Sequence, residues 1–261
     1  MNLNQLLLII LFILVSGCDN KDKSTSIENP NSLSEKKNEK MFVYLILDNS
    51  GSTVSDNLEK IDSTFIRKMI EEIGKQGGGK IWMNYVDESS NNNPGLYTQV
   101  KNTSLGYLAP EKPNEQSFSS KMKYSKAFKE YKKNLTLYET KIENRKKELL
   151  SMKDNIDEQM KEILIFLDEI YNNKPKYSDC FGVLNLAIKA ISREEIESKK
   201  HIIAFSDLKH DANKIKIEKI PQSISVTRVH HSTQIPKYDW LIPSNDLTNQ
   251  NQLLNKLFHQ K

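Results

Sequence analysis

The stretch Phe42-Val43-Tyr44-Leu45-Ile46-Leu47-Asp48-Asn49-Ser50-Gly51-Ser52 constrains this chain more than any other. Six apolar residues, partly β-branched, have the character of a strand buried on both faces of a parallel sheet. The run stops in a carboxylate, two hydroxyls and a glycine, after which helical periodicity begins. In open α/β sheets ligands bind beyond the carboxyl ends of the strands, which is where Asp48 falls. Asp48, Ser50 and Ser52 alternate through a turn, so their oxygens can converge on one point. Oxygen ligands suit a hard divalent cation, Mg²⁺ or Mn²⁺. The plainer alternative is that Ser50 and Ser52 cap the next helix.

The rest of the folded part is read around that strand. Leu58, Ile61, Phe65, Met69 and Ile73 recur at helical spacing, and Gly74 with Gly77-Gly78-Gly79 ends the stripe. Glycines before Lys80 suggest a phosphate loop, but no Ser or Thr follows the lysine and a strand, Ile81 to Val86, comes next. Leu96 to Val100 reads as a further short strand. Leu184, Ala187, Ile188 and Ile191 form another helical stripe. His201 to Asp207 is a second buried strand ending in a carboxylate, and Ile224 to Val229 is another. Trp240-Leu241-Ile242 suggests a last short strand, and Leu247, Leu253, Leu254, Leu257 and Phe258 a closing helix. This order is an α/β, doubly wound, mostly parallel pattern.

Asp48-Asn49-Ser50-Gly51-Ser52, of the form Asp-x-Ser-x-Ser after a hydrophobic strand, resembles the metal-ion-dependent adhesion site of von Willebrand factor type A domains. The resemblance covers residues 41–260 apart from an insertion at 115–155. It implies that Leu96–Val100 is an antiparallel edge strand. It also implies a ligand set of Asp48, Ser50, Ser52, Ser178 and Asp207, holding Mg²⁺ (or Mn²⁺ or Ca²⁺) with one position open for a partner's carboxylate. Two residues depart from the family pattern. Ser178 stands where the family has threonine, with Asp179 beside it as an additional candidate ligand, and both residues also suit a helix cap. Leu208 follows Asp207 where the family commonly has glycine. His210 and Asp211, or His230 and His231, offer a weaker zinc alternative, because adjacent strand residues point to opposite faces.

Between Pro113 and Pro175 there is neither glycine nor proline. Apolar residues from Tyr124 to Ile170 follow a near-heptad, coiled-coil-like spacing, broken at Arg145 and Lys146. A continuous helix over 120–171 would be roughly 75 Å long. Either a hairpin folds back near Asn134 or Asn144, or a rod projects and pairs with a partner, including a second copy through 115–155. The part from Asp157 to Tyr171, with Ile163, Leu164, Phe166, Leu167 and Ile170, is expected to pack on the sheet.

Residues 6–15 are apolar but too short for an ordinary transmembrane helix. They fit a signal peptide over residues 1–17, and Val15-Ser16-Gly17-Cys18 resembles a bacterial lipobox, with Cys18 lipidated as the mature N-terminus. Residues 18–40 are polar and are expected to form a flexible tether. The implied location is the bacterial cell envelope, anchored in a membrane by lipid. Only Cys180 remains beyond Cys18, so no disulfide is available within the folded part.

The net charge of +4, Lys+Arg 38 against Asp+Glu 34, gives no reason to expect nucleic acid. The expected function is membrane-tethered, divalent-metal-dependent protein binding. The alternatives are a metal-independent scaffold acting through its helical arm, or an enzyme using Asp48 as phosphatases do. The enzyme reading lacks a second carboxylate two residues on, where Ser50 stands, and no catalytic triad can be argued. The chain is therefore expected not to be an enzyme.

Overall fold

The computed structural model describes residues 38–50, 60–172, 174–210, 216–230, 236–242 and 245–259. Cys18, Ser52, Leu58, Asp211 and His231 lie outside the described residues, as do the signal and the tether up to residue 37. Strand β1 (Met41–Leu47) is central, and all seven of its residues are buried. The odd-numbered ones join the core shared by α1 (Ser63–Gln76), α3 (Lys153–Asn172) and α5 (Gln250–Phe258). The even-numbered ones join a second core with α4 (Cys180–Ser192). Two apolar faces require an unbroken apolar strand, which is why this run does not alternate with polar residues.

Strands β2 (Gly79–Tyr85), β3 (Leu96–Val100), β4 (Lys199–Phe205), β5 (Ile224–Val229) and β6 (Asp246–Leu247) complete a six-stranded sheet of order β3-β2-β1-β4-β5-β6. Every neighbouring pair is parallel except β2 with β3, so Leu96–Val100 is the antiparallel edge. The chain moves outward from β1 to one side, through β2 and β3, then returns to β4 on the other. The strand order therefore switches direction between β1 and β4, where open α/β sheets form their ligand crevice.

Helix α1 starts after Asp62, whose Oδ1 accepts from Phe65 N at 2.7 Å, so Ile61 is buried ahead of the helix instead of within it. At the other end Gly79, at φ 153°, enters β2 so close to Met41 O that a Cβ would lie 1.8 Å from it. Only glycine fits there. Two C-terminal expectations are corrected. Trp240–Leu241 lie in a turn; the last strand is Asp246–Leu247, and Leu247 pairs with Val229 ahead of the closing helix. The turn is closed by Leu241 N donating to Tyr238 O and by Tyr238 stacked on Trp240.

The long helical segment is neither a hairpin nor an uninterrupted rod. Helix α2 (Lys121–Ser151) runs unbroken past Asn134 and Asn144, and the bend comes at Met152, before α3. Met160, Ile163, Leu167 and Ile170 of α3 are buried, whereas Leu164 is 45% exposed and does not pack on the sheet. On α2 only Ile142 is buried. The Arg145 break in the apolar seam has a cause: its guanidinium donates to the carbonyls of Asn102 and Ser104, tying α2 to the chain leaving β3. The last tether residues are also fixed. Asn38 donates to Ser104 Oγ at 2.7 Å and Lys40 pairs with Glu195 at 2.5 Å.

Candidate functional site

Parallel register sets Leu47 beside Phe205, and Asp48 N donates to Phe205 O at 3.1 Å. One step on, Asp48 stands beside Ser206, a residue the sequence reading passed over. Ser206 is fully buried, and its Oγ donates to Asp48 Oδ2 at 2.5 Å. Asp48 Oδ1 accepts from Ser50 N at 2.8 Å, which closes the turn after β1. Burial raises the Asp48 carboxyl above the usual carboxylate range, and the charge of nearby Asp207 adds to the rise, while the Ser206 and Ser50 hydrogen bonds oppose it. The signal for Ser206 was the register itself: a hydroxyl one position before the strand-end carboxylate falls opposite Asp48.

Asp207 is 2% exposed. Its Oδ1 accepts from Lys209 N at 2.9 Å. Its Oδ2 is buried and takes no hydrogen bond; the Lys209 ammonium lies 3.2 Å away, within ion-pair reach but outside hydrogen-bond geometry. The Asp207 main-chain carbonyl is held by the guanidinium of Arg228, which also grips both oxygens of Asp246 and the carbonyl of Pro236. Leu208 takes φ 60°, alone among the described non-glycine residues in lying at positive φ. The backbone thus adopts the conformation glycine favours, and the buried leucine side chain, in the core shared with α4, holds it there.

Ser178 and Asp179 are buried just before α4. Asp179 caps that helix: its Oδ1 accepts from Gly182 N at 2.8 Å and its Oδ2 from Ser90 N at 3.1 Å. Both of its oxygens are thus committed to backbone N–H groups, which is the capping alternative. Cys180 brings this helix start to the site, with Sγ 3.9 Å from Ser206 Oγ. Its side chain is small and buried. His210 stacks on Phe181 with centroids 4.3 Å apart, and its Nδ1 is 3.7 Å from Asp179. Among the described residues no group of three or more His, Cys, Asp or Glu side chains is placed to hold a metal; Asp211 and His231 of the zinc alternative lie outside them.

Asn49, another residue the pattern left blank, donates its amide to Ile170 O and Tyr171 O at the end of α3. Tyr171 OH in turn accepts from Ile61 N at 2.8 Å. Burial pushes the Tyr171 phenol up to about 12, so it stays a neutral hydrogen-bonding group. The end of α3 therefore anchors both flanks of the segment that contains Ser52. Beside it, Tyr85, Leu96, Phe166 and Ile170 line a cleft of about 370 Å³.

As a cation site, the donor set is of the hard, oxygen-only kind that Mg²⁺ prefers. Asp207 Oδ2 is a buried acceptor without a hydrogen bond, and a divalent ion would add to the positive charge that Lys209 brings to it. Compared with known proteins, the chain matches no family model and no curated protein.

Proposed function

We propose that this chain is a membrane-tethered protein-binding module of the von Willebrand factor type A kind, doubly wound, with a divalent cation as its binding element. Asp48, Ser50, Ser52, Ser178 and Asp207 would hold the ion, and a carboxylate from a partner protein would complete it. One observation supports this reading most: Asp207 Oδ2 is buried without a hydrogen bond, and the charge of Asp207 reaches Asp48 where the strand order switches. Two buried carboxylates within reach of each other's charge repel, and a cation between them would reduce that cost. The cleft between Tyr85 and Phe166 offers apolar surface next to the site for the residues flanking the partner's carboxylate. The lipid anchor on Cys18, after a signal at residues 1–17, would hold the module in the cell envelope. Among the described residues no helix is long and apolar enough to cross a membrane.

The test is calorimetric titration of Mg²⁺, Mn²⁺ and Ca²⁺ into the metal-free chain, beside Asp207→Asn. One saturable site, lost in the variant, is the expected result. No binding of any of the three ions would overturn the metal-dependent reading.

A second reading, metal-independent, is favoured by Lys209, whose ammonium already brings charge to Asp207 Oδ2. On that reading the module is a scaffold that works through α2. Partner binding that survives EDTA but not removal of α2 would establish it.

A further inference from the structure

The charge of α2 is uneven. Residues 121–133 hold six lysines against one glutamate, a net +5 within a chain whose total is +4, so all the rest carries −1. All six lysines are exposed. Lys126, Lys129 and Lys133, followed by Thr136, Thr140 and Lys147, recur every three to seven residues along one side of the helix, and every one of them is exposed. One exposed carboxylate, Glu143, falls three residues after Thr140 and four before Lys147, so the uninterrupted part of the row is Lys126 to Thr140. It lies opposite the half-buried seam of Tyr124, Phe128 and Tyr131, whose rings contact one another in sequence. At 1.5 Å per residue, Lys126 to Lys147 spans about 30 Å.

We propose that this row docks α2 on an anionic lipid surface. A straight row of that length needs a partner that is flat or linear, and a membrane presents such a face. The apolar seam points the other way, so the contact is one of charge with little insertion. A second copy would set +5 against +5 if the outer ends met, which disfavours parallel pairing of these arms.

The tether decides between a membrane and a linear polyanion. Asn38 bonds to Ser104, the same residue whose carbonyl Arg145 grips, so the chain arriving from the N-terminus enters at the root of the arm. Twenty residues separate Asn38 from Cys18, a reach of up to roughly 65 Å when extended. A lipid at Cys18 would thus bring the surface within range of the whole of α2. The inference rests on the membrane-tether part of the proposed function and is independent of the metal.

The test uses the full chain carrying Cys18→Ala, in EDTA, with vesicles of phosphatidylcholine alone and with about one third phosphatidylglycerol. The apolar leader contributes equally to both vesicle types, so the difference between them isolates charge. We expect partitioning at least tenfold stronger on the anionic vesicles, lost in 0.5 M salt or in Lys126→Glu/Lys129→Glu/Lys133→Glu, and weakened in the milder triple glutamine variant. Equal partitioning, or an anionic preference that survives the charge reversal, overturns the proposal. So does binding to an oligonucleotide or to polyglutamate that is tighter than binding to the anionic vesicles at matched charge, which would give the row to a different partner. The tether is tested separately, by the mass of the N-terminal peptide from the unsubstituted chain. An unlipidated Cys18 would sink the tether while leaving the vesicle result intact.

Discussion

At the C-terminal ends of β1 and β4, Asp48 and Asp207 are almost wholly buried, and most of their oxygens are held by backbone N–H groups and a serine. Along α2, six lysines between residues 121 and 133 are exposed; Lys132 lies over the Phe128 ring and Lys123 donates to Ser119 Oγ, both local contacts. The first region gathers residues more than 150 positions apart; the second is local. Burial makes charge at the strand ends costly unless neighbours compensate it, so each substitution there is felt by the fold. Exposed lysines act on distant partners and contribute little to stability. The same kind of residue, a charged side chain, is bound into the structure in one place and exposed in the other.

The largest expected effect tests the buried end. Arg228→Ala removes a guanidinium that is 2% exposed and leaves Asp246 and the Asp207 carbonyl without their donor. A loss of about 3–5 kcal/mol is expected, read by thermal or urea unfolding. A loss below about 1 kcal/mol would mean that the strand ends tolerate charge as solvent does, and the contrast would break. Next comes Leu208→Gly. Glycine relieves the backbone at φ 60°, a gain of about 1–2 kcal/mol, but deletes a fully buried side chain worth about 2–5 kcal/mol. Net destabilisation is expected, and a more stable glycine variant would show that strain at this turn outweighs packing.

Acid provides a third probe. Burial, with the charges of Lys199 and Lys256, lowers the His201 imidazole to about 4. The unfolded chain binds this proton near pH 6.5 and the folded one does not, so stability is full above that pH and falls as the pH drops towards 4. The loss is on the order of 3 kcal/mol, and His201→Phe should flatten the pH dependence of unfolding in that window. A smaller effect belongs to the join between the two regions. Arg145→Ala should cost about 1–2 kcal/mol and speed amide exchange in residues 101–119 more than in β1.

Much of the architecture was legible in the sequence because burial on two faces leaves a local mark. The apolar run 42–47, the stripe from Phe65 to Ile73 and the strand 224–229 each carry their own periodicity. Very short elements were misread: Trp240–Ile242 looks like a strand by composition but closes a turn, while the two-residue β6 carries no periodicity at all. The bend at Met152 has no glycine or proline to announce it.

What the sequence alone determined is therefore the local part: which runs must be buried, that Asp48 and Asp207 end two of them, and that residues 121–133 carry a surplus of positive charge. Tertiary structure decided the rest. Parallel register put Ser206, and not Asp207, beside Asp48. Packing against α4 held Leu208 in a conformation its own side chain disfavours. The α4 cap claimed Asp179. Each outcome depends on which backbone groups meet across the sheet, and pairing between distant strands leaves no trace in the residues of either strand by itself.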